Sequence, residues 1–273
     1  MSVADRLREM LQARGVRWPA PIEHFEAIGS TSDALKERGR AGAPEWTVVL
    51  ADRQTAGRGR QGHVWISPPG NLYLSVLLRP SLPLGATTVL PLATGLAVAQ
   101  ALEDQGLAAR LKWPNDVLSE DRKLAGVLTE AASGPTGLEA VVLGIGVNVN
   151  LDPRDLPPEL RESATSLAAE TGRPGDPVAV AGAVLARLTL CYHALVREGA
   201  GPVLAEWRSR SVPWWGRAVE VRSAGQVVRG VARGLDERGA LLLEGEDGAV
   251  AALLSGEVRE LRLASPEVGG TGR

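Results

Sequence analysis

The stretch "DRQTAGRGRQGHVW", Asp52 to Trp65, carries three glycines and three arginines and no apolar side chain between Ala56 and Val64. Its chemistry would be anion binding. Backbone N–H groups around Gly57, Gly59 and Gly62 can form a nest, and Arg58 and Arg60 are close enough to bring planar, charge-assisted donors to a carboxylate or phosphate. The spacing is neither the GxxxxGK[ST] phosphate loop nor a GxGxxG strand–helix turn, and a solvated arginine loop explains the same residues. A second set lies in "KWPND" and "KLAG": Lys112, Trp113, Pro114, Asn115 and Asp116, then Lys123 seven residues further on. Two lysines bracketing a turn with a carboxylate can position a nucleotide phosphate, a substrate carboxylate and a divalent ion; an ordinary hairpin with solvated ends is the alternative. The third set is "LEAVVLGIGVNVN", in which Val141, Leu143, Ile145, Val147 and Val149 alternate with Ala140, Val142, Gly144, Gly146, Asn148 and Asn150. One face suits a core, and the other is stripped around two glycines. Glycine weakens a strand but lets backbone approach a ligand closely, so this face reads as a ligand floor, or else as a place for close helix packing or a bulge.

These residues need elements to position them. "WTVVLAD" (46–52) and "NLYLSVLL" (71–78) read as strands on either side of the arginine loop, the second with Leu72, Leu74, Val76 and Leu78 on a strongly apolar face. Residues 2–13 read as a helix with Val3, Leu7 and Met10 on one side. Ser30 or Thr31 can cap a helix through about Lys36, with Asp33 in its first turn. A helix within 86–105 follows, then a strand stopped at Pro114, strands in "RKLAGVLTE" and "LEAVVLGIGVNVN", a long helix around 177–198 and a shorter one in "GPVLAEWRSR". From about 214 the chain turns to short β runs separated by "SAGQ", "DERG" and "EDGA". The expected division is an N-terminal helical extension at 1–22, a mixed-sheet α+β domain at 23–211, a small β-barrel-like domain at 212–263 and a loose tail at 264–273.

A chain of 273 residues with formal charge -2 has no bulk attraction for nucleic acid or anionic membrane. No apolar signal core opens the sequence, and Pro83, Gly85, Pro91, Gly95 and Gln100 interrupt the apolar region near 82–102, so a soluble, cytoplasmic protein is expected. Cys191, the single cysteine, excludes an intrachain disulfide and a cysteine-based zinc site, and its helical neighbours Leu188 and Leu195 make it a core thiol. His24, His63 and His193 show no ligand spacing.

Taken together, "STSDA" (30–34), "QTAGRGRQG" (54–62), "WISPPGNLYLSV" (65–76), "KWPNDV" (112–117), "KLAG" (123–126) and "GIGVNVN" (144–150) resemble the biotin protein ligases, and "GVARGLDERGALLLEG" (230–245) resembles that family's small C-terminal domain. The similarity spans about 30–260. It implies a catalytic domain like those of class II aminoacyl-tRNA synthetases with an SH3-like C-terminal barrel. It also implies a two-step reaction: biotin and ATP with Mg2+ give biotinyl-5'-AMP and pyrophosphate, and the acyl group then passes to one lysine of a biotin carboxyl carrier domain. The motif correspondence puts Ser30, Thr31, Gln54, Gly57, Arg58, Lys123, Gly126 and Gly144 on the biotin side, and Arg58, Arg60, Trp65, Lys112, Asn115 and Asn148 on the nucleotide side. Lys123, Arg58, Arg60 and Asp116 are the expected catalytic groups, Asp116 serving either a Mg2+ ion or the acceptor amine. Gln61 and His63 depart from a ligase-repressor pattern with further basic residues there, which bears on retention of the adenylate. Residues before Ser30 are too few for a winged-helix domain and linker, so a monofunctional ligase without operator binding is expected, as a homodimer. A lipoate ligase and a catalytically silent biotin-sensing module are the competing readings.

Overall fold

A computed structural model of the chain describes residues 1–260 except 83, 135–136 and 224; residues 84–86, 132–134, 137 and 260 enter through their backbone only. The expected loose tail from 264 lies outside the described residues. Two compact units divide at Val212/Pro213.

The first unit is built on a seven-stranded sheet in the order β1-β2-β3-β7-β6-β5-β4. Its strands are β1 (Ile22–Phe25), β2 (Val48–Ala51), β3 (Leu72–Leu78), β4 (Arg110–Lys112), β5 (Asp116–Ser119), β6 (Arg122–Gly134) and β7 (Gly137–Val147). Only β1 and β2 run parallel, because α2 (Thr31–Arg40) carries the chain from one to the other; every other neighbouring pair is antiparallel. Ser30 caps α2 through the Asp33 N–H, and the helix runs to Arg40, a turn beyond the expected end near Lys36. Leu35 of α2 packs on Val49, Leu77, Ala140 and Val142.

The opposite face of the sheet is covered by α3 (Leu90–Glu103) and α6 (Pro177–Glu198), with α1 (Val3–Ala13) and α7 (Ala200–Ser209) against α6. α1 buries Leu7 and Leu11, whereas Val3 and Met10 are half-buried. With helices on both sides, β3 is buried along its whole length, so the face holding Tyr73, Ser75 and Leu77 is as enclosed as the apolar one. α6 is long and apolar enough to cross a bilayer, but it spends that surface on α1, α3 and β3. Cys191 is buried within it, and burial pushes the thiol up to about 11. Two short helices, α4 (Pro158–Arg161) and α5 (Leu167–Thr171), lie between β7 and α6.

The second unit is an antiparallel sheet of β8 (Ala218–Ser223), β9 (Gln226–Leu235), β10 (Leu241–Glu244), β11 (Val250–Leu253) and β12 (Glu257–Glu260), in the order β11-β10-β9-β8-β12. The turns in "DERG" and "EDGA" join its strands. Val219, Val221, Ala232, Leu241, Leu243 and Val258 form its interior.

Candidate active site

Register places the chemistry on the α2 side of the first sheet. Tyr73 lies opposite Gly146, Gly146 opposite Gly126, and Gly126 opposite Asp116. This cross-strand row reads aromatic, bare, bare, carboxylate. Trp65 fills the bare centre: a Cβ on Gly146 would stand 2.6–2.8 Å from its indole, and one on Gly126 would stand 3.1 Å from it. The indole Nε1 is buried there without a hydrogen-bond partner among the described residues. Lys123 Nζ stands 5.4 Å from the Trp65 ring centroid and 2.7 Å from Asp116 Oδ1. The glycine face packs against two different neighbours. Gly146 and Gly126 form a floor, whereas Gly144 admits close packing of α2, since a Cβ there would meet Ser32 Oγ at 2.7 Å.

The N-terminus of α2 closes one side. Thr31 donates to Gln54 Oε1 from both its N–H (2.9 Å) and its hydroxyl (3.1 Å), and its hydroxyl lies 2.8 Å from Ser75 Oγ, which also meets Ser32 Oγ at 3.0 Å. Gln54 Nε2 donates to Ser67 Oγ (3.2 Å), whose own hydroxyl donates to the Trp65 carbonyl. A Cβ at Gly57 would fall 2.4 Å from that carbonyl oxygen, so glycine is required there.

The arginine loop holds itself together as a small antiparallel ladder. Trp65 N–H donates to Gly57 O, Arg58 bridges to Val64, and Gly59 N–H donates to His63 O at 2.7 Å, with residues 60–62 forming the turn and Gln61 at φ 54°. Of the three glycine N–H groups that could form an anion nest, that of Gly59 already serves the ladder. The two arginines do not converge. Arg58 donates to Asp33 with both arms and reaches Glu130 at 3.1 Å, while Lys36 meets the same two carboxylates at 2.8 and 3.0 Å. The hydrogen bond from Arg58 outweighs burial and holds the Asp33 carboxyl down at about 2. Arg60 instead donates to Asn115 Oδ1 (3.2 Å); burial lowers its guanidinium pKa, opposed by the charge of Asp116.

Asn115 Nδ2 donates to Val127 O at 2.9 Å, fixing the β4–β5 turn against β6. Lys112 lies across that turn from Asp116. Asn148 is placed as a clamp: its Nδ2 donates to the Thr165 and Lys123 carbonyls at 2.9 and 3.4 Å. Sequence reading missed Ser32, Asp33, Lys36, Ser67, Ser75 and Glu130 as parts of this surface. Ser75, a lone hydroxyl inside "LYLSVLL", was the available signal.

No group of three metal-ligating His, Cys, Asp or Glu side chains occurs among the described residues, and the nearest carboxylate, Asp116, is paired with an ammonium. This donor set does not fit a resident metal. Mg2+ here would be the counter-ion of a nucleotide, with the phosphates as its main ligands.

Residues 24–148 match the model of the biotin/lipoate A/B protein ligase family, and residues 215–259 match that of the biotin protein ligase C-terminal domain. The biotin--[acetyl-CoA-carboxylase] ligase of Mycobacterium tuberculosis is 34% identical over 279 residues, covering 96% of this chain and 100% of its own. The chain belongs to the biotin protein ligase family. The bifunctional ligase/repressor BirA of Bacillus subtilis is 37% identical over 82% of this chain and 70% of its own. The Aquifex aeolicus biotin protein ligase solved with biotin and ATP superposes with a TM-score of 0.78 at 32% identity, covering 88% of this chain and 99% of that one.

Proposed function

We propose that the protein is an ATP-dependent ligase that activates biotin as biotinyl-5'-AMP and transfers it to a lysine of a biotin carboxyl carrier domain. The observation that carries this is the Lys123–Asp116 pair beside the glycine floor under Trp65, in a chain of this family. A carboxylate is a poor acyl donor until its oxygen is made part of a phosphate leaving group. In the first step a biotin carboxylate oxygen attacks the α-phosphorus of ATP, forming the mixed anhydride and releasing pyrophosphate. In the second, the carrier lysine amine attacks the acyl carbon, AMP leaves and the amine loses a proton. Lys123 orients the attacking carboxylate and neutralises charge developing at the α-phosphate. Asp116 holds that ammonium and serves either the Mg2+ that accompanies ATP or the acceptor amine. Arg60, partly desolvated at the β4–β5 turn, supplies the second cation, with Lys112 and Asn115 beside it and Trp65 as the adenine-side aromatic. Ser30, Thr31, Gln54, Gly57, Gly126 and Gly144 shape the biotin side.

Biotin-driven ATP–pyrophosphate exchange tests the reading. Exchange with biotin and none with lipoate is expected; exchange with lipoate alone would make the protein a lipoate ligase, and biotin binding without adenylate would make it a sensing module. Lys123→Ala should abolish most of the exchange while leaving the fold intact. Running the half-reactions separately with Asp116→Asn divides its roles: loss of exchange with altered Mg2+ dependence marks the first step, and loss of transfer from supplied biotinyl-AMP marks the second.

The finer assignments belong to the same proposal. Residues 1–22 serve as an extension of a catalytic domain at 23–211, with 212–263 as the small β domain. Within residues 1–29 one helix packs on α6 and one strand pairs in the sheet, without the second helix of a helix-turn-helix, and sequence-specific operator binding by these residues is not expected. A cytoplasmic location goes with ATP as substrate and a lone buried thiol.

A further inference from the structure

Lys123 is held from behind by a network that the reaction itself does not explain. Its N–H donates to Ser163 O at 2.7 Å and its carbonyl accepts from Thr165 N–H at 2.9 Å, so residues 163–165 run alongside it as a short parallel bridge. Thr165 is fully buried, and its carbonyl accepts from the Asn148 amide. Its hydroxyl donates to Glu170 Oε1 at 2.5 Å. Glu170, in α5, takes two more donors from the hairpin that carries Lys123 and Asp116: Arg122 Nη2 at 2.7 Å and Ser119 Oγ at 2.8 Å. Its side chain is only 11% exposed. Burial raises its carboxyl pKa, but the hydrogen bonds from Thr165 and Ser119 and the charge of Arg122 outweigh that and keep it below the ordinary value. One carboxylate thus ties the residue before Lys123, the last residue of β5 and the segment bridged to the Lys123 backbone.

We propose that Glu170 is a positioning residue for adenylate chemistry: through Thr165, Ser119 and Arg122 it fixes the backbone from which Lys123 reaches the activated carboxylate. A carboxylate suits the task because both oxygens accept and its charge pairs with Arg122; an amide keeps one acceptor oxygen and gives up that charge-assisted bond. A buried, fully satisfied network of this kind fixes geometry tightly and loses it as a unit. Ångström-scale displacement of a catalytic cation is enough to cost much of its effect.

The inference rests on the biotin-ligase reading, and the test separates the two. Affinity for biotinyl-AMP is measured by calorimetry in wild type, Glu170→Gln, Lys123→Met and the double variant, with thermal melts confirming that each is folded. Glu170→Gln is expected to weaken binding about fivefold when Lys123 is present and less than about twofold in the Lys123→Met background, the coupling of residues that act through one another. Equal weakening in both backgrounds, or none in either, would overturn the proposal. Should Glu170→Gln fail to fold, Thr165→Val removes one of the same hydrogen bonds at constant shape and takes its place in the cycle. Wild-type protein that binds no biotinyl-AMP would instead sink the ligase reading itself.

Discussion

Arg58 spends its guanidinium on Asp33 and Glu130, whereas Arg60, two residues on, turns to Asn115 beside Asp116. The first is a tether between the loop, α2 and β6; the second is the cation we propose for the reacting end of the site. Arg60→Ala is therefore expected to lower adenylate formation on the order of a hundredfold, the usual cost of a lost preorganised donor, and to shorten the lifetime of biotinyl-AMP in rapid-quench experiments. An unchanged lifetime would remove Arg60 from the phosphate. The tether has a pH signature. The folded Asp33 carboxyl titrates at about 2, below its ordinary 3.8, chiefly because Arg58 donates to it, so it contributes stability that is complete above the unfolded value and lost as pH falls through the folded one. Unfolding curves of wild type and Asp33→Asn should differ at neutral pH and converge between about pH 4 and pH 2; a gap that persists at the acid end would show that Asp33 stabilises the fold by something other than its charge.

Gly144 and Gly146 lie on one face of β7 and answer to different neighbours. A methyl group at Gly144 meets the hydroxyl of Ser32, which is bonded to buried Ser75, so Gly144→Ala should cost about 1–3 kcal/mol by leaving buried hydroxyls unpaired. At Gly146 the nearest atoms it meets belong to the Trp65 ring, the side chain of a half-exposed loop residue. Gly146→Ala should leave the melting temperature nearly unchanged and raise the dissociation constant for biotinyl-AMP, with calorimetry and thermal melts telling the two variants apart. This division was not legible in the sequence. Alternation in "LEAVVLGIGVNVN" revealed which residues share a face, but not that α2 would cover one end of it. α1, α2, α3, α6, α7 and the sheet strands longer than five residues were readable from period, whereas the short α4 and α5 were not; Lys123 and Asp116 stood out by type, and Trp65 and Gln54 only through the family resemblance. β1 (IEHF) and β5 (DVLS) were not readable, because each mixes polar and apolar residues over four positions and lacks the apolar run that marks the equally short β2 (VVLA). The partners of Arg58 were hidden because Asp33, Lys36 and Glu130 are distant in sequence and ordinary in kind, and only the β6–β7 register and the path of α2 gather them.

The first unit ends its sheet with β1 on one side and β4 on the other, and β4 is already flanked by residues 210–212, since Leu111 exchanges backbone hydrogen bonds with Arg210 and Val212. Among the described residues β1 is then the edge left for another chain, and the expected homodimer would use it in two-fold pairing. Sedimentation over a concentration series should show association that strengthens with biotinyl-AMP; a monomer throughout would dismiss the dimer. The arginine loop has a consequence for the heat of binding. Its backbone is already paired into a ladder and Arg58 and Arg60 are already tethered, so little chain remains to be ordered when ligand arrives. A segment that folds on binding buries large new surface and gives a strongly negative heat-capacity change, whereas a preformed flap that swings gives little beyond the ligand's own contribution. Titrations across temperature should accordingly give a shallow slope of enthalpy, and the seated indole of Trp65, which must leave the glycine floor before anything else can occupy it, should appear instead as a slow step in the association kinetics.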